Sequence, residues 1–246
     1  MPHGSKGKEE EVIFDRNKDF IRCSGIFLMG CIQDAEKCPR NELPRQKVAV
    51  SKSFWIGKYE VTQRQWESVM GYNPSQAGKG DEYPVDSVTW NDVRGFIKKL
   101  NDRFITEGVH FRLPSEKEWE LACRSMEEED ENIYAGGNHP DPFAWYYRKH
   151  SEGTHPVASK KPNEIGIYDM NGNVWEWTQD EYRSTYADSP LPGSAAQGCN
   201  ENPDFFRTIR GGGWTDNKES VTCSSRSGEN PGEMRDDIGF RLIMED

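Results

Sequence analysis

Arg210-Gly211-Gly212-Gly213-Trp214 is followed, after a polar stretch, by Ile238-Gly239-Phe240-Arg241-Leu242. Apolar residues around both glycine-bearing runs make 205–214 and 238–244 read as a pair of closing strands. The 23 residues from 215 to 237 hold a single cysteine, Cys223. That count matters for any chemistry placed here.

Upstream, three helix starts carry capping boxes. In Thr62-Gln63-Arg64-Gln65 the hydroxyl can accept from the third helical N–H while Gln65 reaches back to the cap, with Val61 and Trp66 as the apolar staple. Thr89-Trp90-Asn91-Asp92 repeats the device between Val88 and Val93, and Val93, Phe96, Ile97 and Leu100 continue as a helical stripe. Ser115-Glu116-Lys117-Glu118 opens a third helix through Trp119, Leu121 and Ala122. Gly25-Ile26-Phe27-Leu28-Met29-Gly30 suits a buried strand. Lys47-Val48-Ala49-Val50 and Ser53-Phe54-Trp55-Ile56-Gly57 read as strands leading into Glu60-Val61-Thr62. From about 125 to 204 the chain is rich in Gly, Pro, Asn and Asp and reads as loop. Loops this long in a compact domain carry function or bind metal.

The 246 residues show no internal repeat and no linker. They are read as a flexible segment over 1–22 and one domain over 23–246. Eight Trp, nine Tyr and eleven Phe supply core anchors, and 23 Gly and 14 Pro put much of the backbone into turns. A net charge of −11 argues against nucleic-acid or anionic-membrane partners, which need clustered cations. The acidic run Glu127-Glu128-Glu129-Asp130-Glu131 reads as a solvated loop, with a cation site as the sharper alternative.

No apolar run is long enough to span a bilayer. Met1-Pro2-His3-Gly4-Ser5 lacks a signal-peptide core and resembles a cloning remnant, which leaves an export signal or lipid anchor upstream open. Six cysteines (Cys23, Cys31, Cys38, Cys123, Cys199 and Cys223) allow many pairings that sequence cannot choose among. Cys31 and Cys38 could staple a loop, with buried free thiols as the equal alternative to disulfides, and Cys223 reads as a small core residue. No CxxC or adjacent His completes a zinc set.

Several motifs now fall into one order. These are Met29-Gly30, Lys58-Tyr59-Glu60-Val61-Thr62, Tyr83-Pro84-Val85, Val88-Thr89-Trp90 and Phe111-Arg112-Leu113-Pro114-Ser115-Glu116-Lys117-Glu118-Trp119-Glu120. Asn171-Gly172-Asn173-Val174-Trp175-Glu176-Trp177 and the two opening runs complete the series. From about 23 to 244 the chain resembles the sulfatase-modifying-factor family, the domain of formylglycine-generating enzymes and a variant of the C-type lectin fold. The resemblance implies an α+β, loop-rich domain with a small antiparallel sheet, two or three helices and an open groove.

Enzymes of that family carry two cysteines shortly after the Gly-rich run, whose thiolates bind a cuprous ion. Oxygen and nitrogen donors replace paired thiolates poorly at Cu(I). Counted from Trp214, the first position falls on Asp216 and the second within 219–221, neither a cysteine. No copper is therefore expected, and the chain reads as a non-catalytic binding protein. The alternatives are an oxidoreductase of the formylglycine-generating type with another centre, or its inactive regulatory paralogue. The five histidines show no His-x-x-x-His spacing, and no Gly-x-Ser-x-Gly elbow occurs.

The family branch that this chain most resembles is the variable proteins of diversity-generating retroelements. Their pattern maps onto Arg210 to Trp214, then Thr215-Asp216-Asn217, Arg226, Pro231, Arg235 and Gly239 to Leu242. On that reading 214–241 is a variable ligand-binding segment. Trp214, Thr215, Asp216, Asn217, Ser220, Ser225, Ser227, Gly228, Asn230, Gly232, Asp236 and Asp237 are its ligand-facing positions. A polar surface loop of an ordinary family member is the competing reading. Arg226 and Arg235 are expected to fix the loops through bidentate bonds. Trp145, Tyr146 and Tyr147 would add contact area, although aromatics of this kind are often core residues.

The resemblance also implies a structural Ca²⁺, with carboxylates of Asp169 and Glu176 and carbonyls of Gly172 and Val174 as hard-oxygen ligands. The alternative is that both carboxylates cap turns or pair with arginine. The expected partner is a protein or a glycan, met at a bacterial cell surface or after secretion.

Overall fold

The computed structural model describes residues 13–33, 36–148, 152–188 and 205–245. Among the described residues twelve strands and α-helices carry the fold. A short helix α1 (Arg16–Asp19) leads into β1 (Phe20–Met29), and β2 (Gln46–Gly57) follows. Then come α2 (Gln63–Met70), α3 (Trp90–Phe104), β3 (His110–Arg112) and α4 (Glu116–Cys123). The last third contributes β4 (Trp175–Glu181), β5 (Arg207–Arg210), β6 (Arg226–Glu229), β7 (Ile238–Gly239) and β8 (Ile243–Glu245). The α+β, loop-rich architecture is the expected one.

All three capping boxes form. Thr62, Thr89 and Ser115 each accept from the backbone three residues on, while Gln65, Asp92 and Glu118 return to the cap. The α3 stripe buries Val93, Phe96 and Leu100, leaving Ile97 partly exposed.

Two four-stranded sheets organise the strands, in the orders β1-β2-β8-β3 and β6-β5-β4-β7. The closing segments do not pair with each other, contrary to the expectation for 205–214 and 238–244. β5 pairs with β4 and β6, β7 lies parallel to β4, and β8 joins the other sheet between β2 and β3. The stretch Phe240-Arg241-Leu242 is the crossing between the sheets, and all three residues are buried. Phe240 packs edge-on against Trp66 and Phe96, whose rings stack at 5.2 Å.

Two further differences concern boundaries. The strand expected at 25–30 starts at Phe20, and Phe14 and Phe20 join the core through Phe111. The assignment of 1–22 to a flexible segment is therefore corrected for 13–22, while 1–12 lie outside the described residues. The stretch read as continuous loop from 125 contains β4, whose first four residues are all buried.

Cysteines pair twice. Cys31–Cys38 closes the loop after β1, as its spacing suggested. Cys123–Cys223 ties α4 to the segment before β6, so Cys223 is a disulfide partner rather than a lone core thiol. Cys23 is a buried free thiol, and Cys199 lies outside the described residues. No helix among the described residues is long and apolar enough to cross a membrane.

Candidate functional site

Between Arg210 and β7 the chain holds only the short strand β6 and one helical turn, so it needs anchoring from below. Four arginines supply it. The Arg210 guanidinium donates to the carbonyls of Ser224 and Ser225 at 2.8 and 2.9 Å, to that of Cys223, and to the Glu120 carboxylate. Arg226 grips Glu116 through two nitrogens and donates to the carbonyls of Asn41 and Arg183. Arg235 holds Asp237 in a fork at 2.9 and 2.7 Å and reaches Glu229 at 2.9 Å. Arg241 forks onto Glu176, both contacts at 2.6 Å, and donates to the Gly57 and Tyr168 carbonyls. The bidentate roles of Arg226 and Arg235 match their expectation. Those of Arg210 and Arg241 have no sequence signal beyond the motifs themselves.

At the opening turn, Gly211 and Gly212 take φ of 92° and 78°, the left-handed region. A Cβ on Gly212 would meet the Ser220 carbonyl oxygen at 2.5 Å. Only glycine lets the chain double back here.

Above this frame the expected ligand-facing positions separate. Thr215, Asn217, Asn230, Gly232 and Asp236 are exposed, and Trp214, Asp216, Ser220, Ser227 and Gly228 are partly buried. Ser225 and Asp237 are not surface positions, each being 3% exposed. The Ser225 hydroxyl accepts from the Thr222 backbone N–H, and Asp237 is the acceptor for Arg235 and the Thr215 hydroxyl. Their expectation is corrected: small polar residues look like surface in sequence, yet here they satisfy buried partners. Gly228 lies under Tyr182, and a Cβ there would sit 2.5 Å from that ring.

Neighbouring chain completes the face. The Tyr147 N–H donates to the Asp216 carbonyl at 2.7 Å, and its side chain is 57% exposed. Met234 is 52% exposed, and the Trp214 indole donates to the Asp236 carbonyl. Sequence reading missed Met234, since one exposed Met carries no pattern. Trp145 stacks on His155 at 3.6 Å and lies near the Lys160 ammonium, while the Tyr146 hydroxyl donates to Asp141. Of the three aromatics only Tyr147 is fully presented.

Asp216, the position counted from Trp214 at which the resemblance leads one to expect a thiolate, accepts from the Trp175 indole at 2.7 Å and the Gly213 N–H at 2.9 Å. Burial raises its pKa against those two bonds. The one cysteine of the segment, Cys223, is buried in its bond to Cys123. Such a disulfide offers no thiolate pair.

The carboxylates expected to hold calcium are both buried. Glu176 takes the arginine alternative: it accepts from Arg241 twice and from the Trp119 indole. Its assignment as a carboxylate ligand of calcium is corrected, because the Arg241 guanidinium already neutralises it. Asp169 sits at φ 55°, accepts from the Ala158 N–H through Oδ2, and leaves buried Oδ1 without a partner. Glu60, missed in the sequence, is buried nearby and accepts from the Asn173 amide and the Val174 N–H. Burial, then Asp169 and Glu176, push the Glu60 pKa well up, and burial raises Asp169 to about 6. Gly172, at φ 74°, lies against the Trp145 carbonyl. Val174 uses its N–H on Glu60. Among the described residues no three His, Cys, Asp or Glu side chains converge as a metal cluster.

A family model described as the sulfatase-modifying factor enzyme 1-like domain matches residues 15–246. The chain belongs to that family. It is 31% identical to the chaperone protein LppX of Paenibacillus barcinonensis over 85% of this chain and 86% of that one. Relatives also include the formylglycine-generating enzyme of Mus musculus, 28% identical over 90% of the chain and 73% of the enzyme. The inactive C-alpha-formylglycine-generating enzyme 2 of Bos taurus is 30% identical over 65% of the chain, which spans 50% of that protein. Among solved structures, Treponema denticola variable protein 1 superposes with a TM-score of 0.75 at 25% identity, covering 91% of this chain and 94% of its own. Active, inactive and variable members thus all share the scaffold.

Proposed function

We propose that this chain is a non-catalytic ligand-binding module that presents an adaptable face to a protein or a glycan. The observation that carries this reading is the division within 214–237. Arg226 and Arg235 hold the backbone through buried or half-buried carboxylates, while Thr215, Asn217, Asn230 and Asp236 stand exposed above it. The Thr215 hydroxyl donates to Asp237, and the Asn217 and Asn230 side chains accept local backbone N–H groups, so exchange at these three costs about one exposed hydrogen bond each, and less at Asp236. Tyr147, Trp214 and Met234 give contact area with few rotatable bonds in the aromatic pair.

The likeness to a variable protein supports the display role, and a relative named as a chaperone supports a protein partner. Two disulfides favour an oxidising location, which suits a cell-surface or secreted protein. A hard cation beside Asp169, whose Oδ1 lacks a partner, belongs to the same proposal as a structural Ca²⁺ completed by the carbonyls of Gly172 and Val174.

Cuprous-ion titration with oxygen uptake on a cysteine-containing peptide separates this reading from the oxidoreductase. The expected result is no stoichiometric copper and no peptide oxidation; turnover of the peptide overturns it. Diversification has its own test at the encoding locus. A reverse-transcriptase gene with a template repeat matching codons 214–241 establishes it, and absence of both returns the chain to an ordinary family member.

A further inference from the structure

A cavity of about 310 Å³ lies between α3 and β3 and shares no lining residue with the face just described. Its origin is local. The α3 stripe sends Trp90, Val93, Phe96 and Leu100 into the core, and the partly exposed Ile97 beside it lines the cavity with Trp90, with Phe111 of β3 and with Leu113. β3 is an edge strand, but its outward backbone groups are not free to take another strand. The Asn101 amide donates to the Phe111 carbonyl at 2.9 Å and its oxygen accepts from the Phe111 N–H at 2.7 Å. That clamp fixes the wall.

The lining charge runs against that of the whole molecule. In a chain of net charge −11, Arg94, Lys98 and Arg112 line the cavity with Asp102 as the one carboxylate among its lining residues. Arg112 is held by Glu118 and Glu245 behind the wall, so its charge is balanced and its position fixed. Lys98 and Asp102 form a pair at 2.9 Å with both side chains largely exposed, a contact of little strength that another carboxylate can replace. The Arg94 guanidinium lies over the Trp90 indole, 5.2 Å from its centroid, and both line the cavity.

An apolar floor, a small volume and a cationic rim select one chemistry. We infer that this cavity binds a small organic carboxylate with an apolar body, the body on Trp90, Ile97, Phe111 and Leu113 and the carboxylate between Lys98 and Arg94. The inference does not depend on the binding face, whose failure would leave it intact.

Octanoate, octan-1-ol and octylamine share one apolar body and differ in the head group. Titrated into the full chain, octanoate should saturably shift the Ile97 and Leu113 methyl and Trp90 indole NMR signals. The alcohol should bind about tenfold more weakly for want of a charged acceptor, and the amine more weakly still. Lys98→Gln should weaken octanoate about threefold, as expected for an exposed cation, and leave the alcohol unchanged. Ile97→Trp should block all three probes. Because Lys98 is exposed, its variant decides the matter even where Ile97→Trp fails to fold. Equal binding of amine and carboxylate, no shift at these residues, or octanoate affinity unaltered in Lys98→Gln overturns the proposal.

Discussion

Glu116 lies beneath the segment 215–237 with both oxygens held by Arg226 and its neighbour Tyr186 completing the pocket. Arg226→Ala would strip that buried carboxylate of its two guanidinium hydrogen bonds and leave Arg210, 3.8 Å away, as its remaining counter-charge, at a cost of about 3 kcal/mol in denaturant unfolding. Asp236→Ala, at an exposed position, should change stability by no more than about 0.5 kcal/mol. Comparable losses for the two would remove the distinction between frame and face. Asp169 offers a separate check. Millimolar Ca²⁺ should raise the thermal midpoint and a chelator reverse it, with Asp169→Ala abolishing the response. An unchanged midpoint would mean that a proton, not a cation, accompanies this cluster.

The helices were legible from sequence because a cap and its third residue are neighbours in the chain. Thr89→Ala should therefore cost about 1 kcal/mol in unfolding free energy. β4 was not legible. Trp175-Glu176-Trp177-Thr178 is buried on both sides, so no alternation marks it, and Glu176 becomes acceptable in a core only through distant Arg241. The separation of β7 from β8 was hidden too, because their partners are β4 in one sheet and β2 and β3 in the other. Within the site, Arg226 and Arg235 could be read from their motif positions, whereas the burial of Ser225 and Asp237 depends on Thr222 and Arg235 folding over them. The Cys123–Cys223 bond joins residues 100 apart, a pairing that spacing alone cannot select. Removing it by Cys123→Ala with Cys223→Ala should lower stability by about 2–4 kcal/mol. No loss would argue that the two sulfurs are thiols, and would revive the metal-binding reading.

For the whole molecule, buried carboxylates set the pH dependence. Burial lifts Asp169 to about 6 and, with Glu116 nearby, Asp180 to about 7. Between the unfolded and folded values the native state binds more protons, so this stability is lost as pH rises through 6 to 7. Glu116 and Glu118 behave oppositely. Burial would raise both, but Arg226 and Arg210 outweigh it at Glu116, and Arg112 with Ser115 does so at Glu118. Their contribution is lost as pH falls below the ordinary carboxylate range. Thermal midpoints in chelator should therefore peak on the mildly acidic side of neutrality and decline toward pH 8; a midpoint rising steadily to pH 8 would contradict these burials.

The central claim is that one rigid frame carries exchangeable side chains. Thermal unfolding of a library randomised together at Thr215, Asn217, Asn230 and Asp236 tests it most directly. Most members should fold cooperatively with midpoints within about 10 °C of the parent, as the loss of a few exposed hydrogen bonds implies. A library whose members are mostly unfolded would show that these residues belong to the frame, and the display reading would fall.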